Sequence, residues 1–266
     1  MHQTTYHRPA SVDEAAALFA KGSDSKYLAG GHTLLPVMKA RLASPTDVID
    51  LARIKDLVGI QSVDDALTIK AATTYFDIMS SADVKNTIPA LVYLTSVLGD
   101  PAVRYRGTIG GSIANNDPSA DYPAAVVALG ATVKTNKRSI AADDFFKGLF
   151  STALADGEII TQVSFPIPAK AGYSKFAHPA SRFALTGVFV AKTKPGDVRV
   201  AATGASSNGV MRVPAIEAAL KANWSPGALD SIKISADGLL TDIHGSSAYR
   251  ANLIKVMAQR AVTAAG

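Results

Sequence analysis

The chain contains no cysteine among its 266 residues. That absence excludes disulfides, thiolate zinc sites and any iron–sulfur cluster held by this chain, because such clusters take cysteine ligands. Histidine is scarce, and His2, His7, His32, His178 and His244 show no i, i+4 pair of the metal-binding kind, so no metal ligand is assigned. No apolar run reaches the roughly 18 residues of a membrane span, and Met1 to Pro9 lacks the apolar stretch of a signal peptide. The expectation is a cytoplasmic chain that does not insert into membranes. Basic residues outnumber acidic ones by only 27 to 22, and no basic run interleaves with aromatics, which argues against a nucleic-acid partner. Neither a G-x-G-x-x-G opening a helix nor a G-x-x-x-x-G-K-[ST] occurs, so no Rossmann domain or P-loop is expected.

Two glycine pairs stand out against these absences: Ala29-Gly30-Gly31-His32-Thr33 and Thr108-Ile109-Gly110-Gly111-Ser112, the second running on to Asp121. Glycine lets a backbone amide approach an anion closely and adopts φ > 0 readily, and successive such amides form a nest for phosphate oxygens. Two nests point to a diphosphate. Taken singly, each pair is also compatible with a plain turn. The first pair sits where a strand passes into a helix, a place where unpaired amides favour an anion.

Hydrophobic residues make up 48 % of the chain, enough for one large domain or two to three small ones. Ser11-Val-Asp-Glu14 reads as a capping box ahead of a first helix, following a short strand near Tyr6. A strand at 26–29, a helix at 34–42 and a strand at 47–51 complete a β-α-β-α-β module. Strand alternation from Leu67 to Thr73 begins a second part, with helices at 75–81 and 90–98, a functional loop over 104–121, a helix at 123–129 and strands at 131–135 and 158–165. Pro166 and Pro168 mark a boundary. Beyond it come strands at 183–192 and 198–204, a helix at 213–222 and a long helix at 246–264 with Tyr249, Leu253, Val256 and Met257 on its apolar side. The fold class is α+β in three lobes.

Taken with Asp121-Tyr-Pro, Gly157-Glu-Ile-Ile-Thr161, Lys175-Phe-Ala-His-Pro-Ala-Ser-Arg-Phe183 and Asp242-Ile-His-Gly-Ser-Ser-Ala-Tyr-Arg250, the glycine pairs give the chain a likeness to a known family. It resembles the FAD-binding medium subunits of the molybdenum hydroxylases, such as those of carbon monoxide dehydrogenase and the FAD domain of xanthine dehydrogenase. The resemblance implies a PCMH-like (vanillyl-alcohol-oxidase type) FAD-binding domain over 1–168, in subdomains of about 1–55 and 56–168, and a CO-dehydrogenase-flavoprotein-type α+β domain over 169–266.

The same resemblance assigns roles. Gly30, Gly31, Thr33, Gly110, Gly111 and Ser112 would donate backbone and hydroxyl hydrogen bonds to the FAD pyrophosphate, with Ala29, His32, Thr108 and Ile109 contributing through their backbones. His32 would order its loop by a hydrogen bond, and no residue is assigned as catalytic. Asp121 would contact the adenosine end, the alternative being a helix N-cap. Ile160 would pack on the adenine. Lys175 would lie near the isoalloxazine, the alternative being a solvent-exposed strand lysine. Phe183 stands where carbon monoxide dehydrogenase carries a tyrosine beside the flavin, which keeps an aromatic surface and removes a hydroxyl.

The implied function is electron transfer through FAD on this chain, from 2Fe–2S clusters on a small partner subunit, themselves fed by a molybdopterin-type molybdenum cofactor on a large one, to an external acceptor. The implied assembly is a dimer of heterotrimers. The rivals are a stand-alone FAD-dependent oxidoreductase, for which the last lobe supplies no cluster of titratable groups, and a nucleotide-binding protein that has lost its flavin. Substrate choice would lie on another chain.

Overall fold

Alternation of strand and helix at the N-terminus builds a small parallel sheet. In the computed structural model, which describes residues 3–266, β1 (Thr5–His7), α1 (Val12–Phe19), β2 (Ser25–Leu28), α2 (Leu34–Lys39) and β3 (Asp47–Asp50) follow in order, and the strands lie β1-β3-β2. The Ser11 hydroxyl accepts from the Glu14 amide at 3.1 Å. Glu14 reaches back to the amide of Ala10 rather than of Ser11, a capping box displaced by one residue. Ala15, Ile49, Ile54, Leu57 and Ile159 close a core beneath this sheet.

The second part is larger. β4 (Ile60–Val63), β5 (Ala66–Lys70), α3 (Tyr75–Ser80), α4 (Ala82–Thr87), α5 (Pro89–Ser96), α6 (Pro101–Arg106), α7 (Ile109–Asn115) and α8 (Tyr122–Ala128) precede β6 (Thr132–Thr135) and β7 (Ser139–Ala141). A short α9 (Ala142–Phe145), a hairpin of β8 (Phe146–Gly148) and β9 (Ser151–Thr152), and β10 (Ile160–Pro166) complete it. The five-stranded sheet runs β4-β5-β10-β6-β7.

The segment expected to be a long loop from Arg104 to Asp121 is largely helical, a correction with a local cause. The preceding helix α5 already stops at Ser96, and Pro101 opens α6, where proline fits the first helical position and Asp100 caps it. Thr108 then caps α7, although glycines inside that helix lower its propensity. Asn116 ends α7 in the left-handed region at φ 44, and its side-chain amide donates to the carbonyls of Gly148 and Ser151, pinning the β8–β9 hairpin.

The last part is a four-stranded antiparallel sheet, β11 (Lys170–Ala177), β12 (Ala184–Lys192), β13 (Val198–Ser206) and β14 (Gly209–Arg212), with α10 (Pro214–Ala222) and α11 (Ser247–Ala265) beside it. Leu253 and Met257 of α11 are buried, whereas Tyr249 is exposed. Arg250 anchors the helix from within: its guanidinium donates to the carbonyls of Leu185 and Gly204 and to Asp242 at 2.7–2.8 Å. The middle core does not stop at the end of β10. Tyr173, Phe189, Ala191 and Ala201 join the cluster formed by β5, β10, β6, α5, α7 and α8. Among the described residues no helix is long and apolar enough to cross a membrane.

Candidate functional site

A cleft of about 860 Å³ lies where the three parts meet. Its walls come from the β2–α2 loop, the α3 and α7 starts, the end of α8's entry loop, the head of β10 and the β11–β12 turn. Of the residues singled out from the sequence, Ala29, Gly30, Gly31, His32, Thr33, Thr108, Gly110, Gly111, Ser112, Asp121 and Ile160 line it. Phe183 lies at its rim, half exposed. Ile109 is buried behind the wall, and Lys175 sits behind Asp121.

The first glycine loop has the features of an anion cradle. Gly31 adopts φ 79, the region that glycine enters without a Cβ clash. The amides of Gly30, Gly31, His32 and Thr33 donate to nothing among the described residues, so a run of N–H groups is left for a ligand. Gly30 also permits a close approach of the two motifs: a Cβ there would stand 2.1 Å from the carbonyl oxygen of Arg106 and 2.9 Å from the Cα of Gly107. His32 is exposed and its imidazole makes no hydrogen bond among the described residues, so the loop-ordering role expected for it is not found.

The second motif works differently from the expectation of a second nest. The amide of Ile109 donates to Thr73 at 3.3 Å, that of Gly110 to the Ala71 carbonyl at 2.9 Å, that of Gly111 to the Thr108 hydroxyl at 3.1 Å, and that of Ser112 to the Thr108 carbonyl at 3.0 Å. These donors are engaged within the chain. Both glycines are helical, neither at positive φ. Their absent side chains permit packing: a Cβ on Gly110 would meet the Cβ and carbonyl oxygen of Ala71 at 2.7 Å, and one on Gly111 would meet the Thr108 hydroxyl at 3.0 Å. The polar side chains this motif brings to the cleft are Thr108, whose hydroxyl also accepts from the Gly111 amide, and Ser112, which hydrogen-bonds with Tyr75.

Asp121 and Lys175 form one unit. The lysine Nζ lies 3.0 Å from Asp121 Oδ1 and 3.3 Å from Oδ2, with side chains 5 % and 2 % exposed, and the Tyr173 hydroxyl donates to the same carboxylate. The two residues therefore cannot mark opposite ends of a bound dinucleotide, as the resemblance had implied. Lys175 is not a solvated strand lysine, nor does Asp121 cap α8, since its side chain accepts no amide there. Burial raises the Asp121 carboxyl above the ordinary range, while the charge and hydrogen bond of Lys175 and the Tyr173 hydroxyl oppose that rise.

Four further residues at the site had no role assigned from the sequence. Tyr75 lines the cleft, hydrogen-bonds with Ser112, and is pushed up to about 12 by burial. Gly107 makes room for it, because a Cβ there would lie 2.4 Å from its ring. Tyr173 shares a strand face with Lys175 two residues on, so period-2 alternation was the available signal. Glu158 also borders the cleft, but its carboxylate accepts from Arg138 at 3.0 Å, Thr135 at 2.7 Å and the Ala155 amide at 2.8 Å, which holds it down at about 2. It braces the wall rather than facing a ligand.

A family model described as the FAD binding domain in molybdopterin dehydrogenase matches residues 2–168. The nicotine 6-hydroxylase medium subunit of Paenarthrobacter nicotinovorans is 36 % identical, over 98 % of this chain and 96 % of its own. The carbon monoxide dehydrogenase medium chain of Afipia carboxidovorans is 34 % identical over 97 % and 94 %. A chain of the reconstituted CO dehydrogenase from Oligotropha carboxidovorans superposes with a TM-score of 0.90 at 32 % identity, over 99 % of this chain and 97 % of that one.

Proposed function

The chain belongs to the family of FAD-binding domains of molybdopterin dehydrogenases, and from that premise we propose that it is the FAD-carrying medium subunit of a molybdenum hydroxylase. The observation that carries the reading is the run of four unengaged amides from Gly30 to Thr33 at one wall of an 860 Å³ cleft, opposite the hydroxyls of Thr108 and Ser112. That donor set fits a pyrophosphate, since successive amides and hydroxyls match phosphate oxygens. The volume suits a ligand of dinucleotide size.

When bound, FAD supplies the exchange of single electrons from iron–sulfur clusters for electron pairs taken by an external acceptor. The chain's own residues bind and orient it. The Gly30–Thr33 amides hold the anionic centre, Tyr75 and Ile160 give apolar surface on which a ring can lie, and Asp121 accepts from hydroxyl or N–H groups at the cleft floor. The Ala180–Phe183 turn borders the cleft at its rim. In this reading the partners are a small 2Fe–2S subunit and a large subunit with the molybdenum cofactor, in a cytoplasmic dimer of heterotrimers, and the domain division falls at 168. The relatives are named for nicotine, carbon monoxide and glyceraldehyde as substrates, a spread consistent with substrate choice on the large subunit.

The test is to purify the chain with its native partners and measure absorbance and metal content. One FAD per chain, with iron and molybdenum on two further subunits, is the expected result. Flavin reducible by a simple organic donor on the isolated chain would replace this reading with a stand-alone oxidoreductase.

A further inference from the structure

Lys175 is buried, charged and absent from the cleft surface, an arrangement that costs several kcal/mol unless it serves a partner. Its partner is Asp121, which does reach the cleft. Alternation along β11 puts Tyr173 and Lys175 on one face, so a phenol and an ammonium converge on a single carboxylate. Tyr75 from α3 and Tyr122 beside Asp121 on α8 also lie near this carboxylate, and Tyr93 from α5 lies near Tyr173. All three are phenols, which leaves Lys175 as the cation of the cluster.

We propose that Lys175 is a positioning residue: it makes no contact with the cofactor and acts by keeping the Asp121 carboxylate ionised and fixed, so that the cleft floor is a hydrogen-bond acceptor for cofactor hydroxyl or N–H groups. The inference rests on the FAD reading given above. Without the ammonium, a carboxylate buried to this degree takes up a proton and turns from acceptor to donor. Burial already drives Asp121 in that direction, and Lys175 is the largest influence opposing it. Asp121 Oδ1 accepts from Tyr173 and Oδ2 from Lys175, and each carboxylate oxygen has a second lone pair with which to accept from a ligand.

The experiment measures FAD affinity of the deflavinated full chain from pH 5 to pH 9 by flavin fluorescence. In the wild type, affinity falls toward acid as Asp121 protonates. In Lys175→Met the same transition moves at least one pH unit upward, so that affinity at pH values on its acid side drops about tenfold or more. Lys175→Arg returns the transition to the wild-type position. Asp121→Asn is flat with pH, and adding Lys175→Met to it changes the profile no further. A Lys175→Met transition lying at the wild-type pH, or an equal loss in the Asp121→Asn background, overturns the proposal. Lys175→Gln takes the place of Lys175→Met if the latter does not fold. The carboxyl carbon resonance of aspartate-labelled, ligand-free chain reads the same titration without flavin. A wild-type chain that binds no FAD would overturn the cofactor reading alone, whereas an unmoved Asp121 resonance in Lys175→Met would overturn the role of the lysine alone.

Discussion

Gly30→Ala adds a single methyl group at the closest approach between the two loops. The new Cβ would stand 2.1 Å from the Arg106 carbonyl oxygen, 2.7 Å from its carbon and 2.9 Å from the Gly107 Cα. All three are backbone atoms, so no side-chain rotation relieves the contact and one loop must move. Overpacking of this kind costs about 1–3 kcal/mol. At about 2–4 °C per kcal/mol for a chain of this size, the thermal midpoint is expected to fall by roughly 3–10 °C. Parting the loops also separates the Gly30–Thr33 amides from the Thr108 and Ser112 hydroxyls, so FAD affinity should weaken about tenfold or more, equivalent to ~1.4 kcal/mol. The control is Gly227→Ala, where the added Cβ meets nothing nearer than Asp230 Oδ2 at 3.8 Å and stability should change by less than about 0.5 kcal/mol. Differential scanning calorimetry and a flavin titration on both variants decide the matter. A Gly30→Ala chain that melts with the wild type and holds FAD as tightly would refute the reasoning.

Thr108→Ala removes the cap on the Gly111 amide and should lower stability in urea by about 0.5–2 kcal/mol, with Thr108→Ser recovering most of it. Glu158 is held at about 2 against an ordinary 4.5, and about 2.5 pH units at ~1.36 kcal/mol each give roughly 3 kcal/mol of stability. Because the folded value is the lower one, that contribution is complete above the ordinary carboxylate range and disappears as pH falls through about 2. Glu158→Gln should therefore trail the wild type at neutral pH and meet it in acid unfolding near pH 2; a constant gap across that range would be the contrary result. Arg250→Met leaves the Leu185 and Gly204 carbonyls and Asp242 without their donor, at an expected cost of about 3–5 kcal/mol by chemical denaturation.

The N-terminal module was legible because each of its elements carries its own signal: a cap at Ser11, apolar spacing through α1 and α2, and β-branched residues in β3. The glycine motifs were legible as to place and only half legible as to work. A sequence shows that Gly110 and Gly111 lack side chains, but whether the vacated space takes a phosphate or the carbonyl of Ala71 depends on a strand forty residues earlier. The helix α7 was hidden for the same reason, since its glycines oppose local propensity and its stability comes from packing. Tyr173 and Lys175 reach Asp121 across more than fifty residues, and nothing local to either end announces that pairing. By resemblance Lys175 reads as a residue near the isoalloxazine and by residue type alone as a surface lysine, and only the depth of β11 shows its pairing with Asp121.

Every residue of α8, from Tyr122 to Ala128, is buried, and the helix packs on β12, β13 and β14. It is also the element that Asp121 introduces. A ribosome that has released the chain only as far as Pro168 has produced the residues matched by the family model, but none of the strands that cover this helix. The emerging polypeptide at that stage leaves the side of this apolar helix that packs on β12–β14 uncovered, a target for a holding chaperone. Completion of the cleft floor waits for synthesis of β11, which brings Tyr173 and Lys175 onto Asp121.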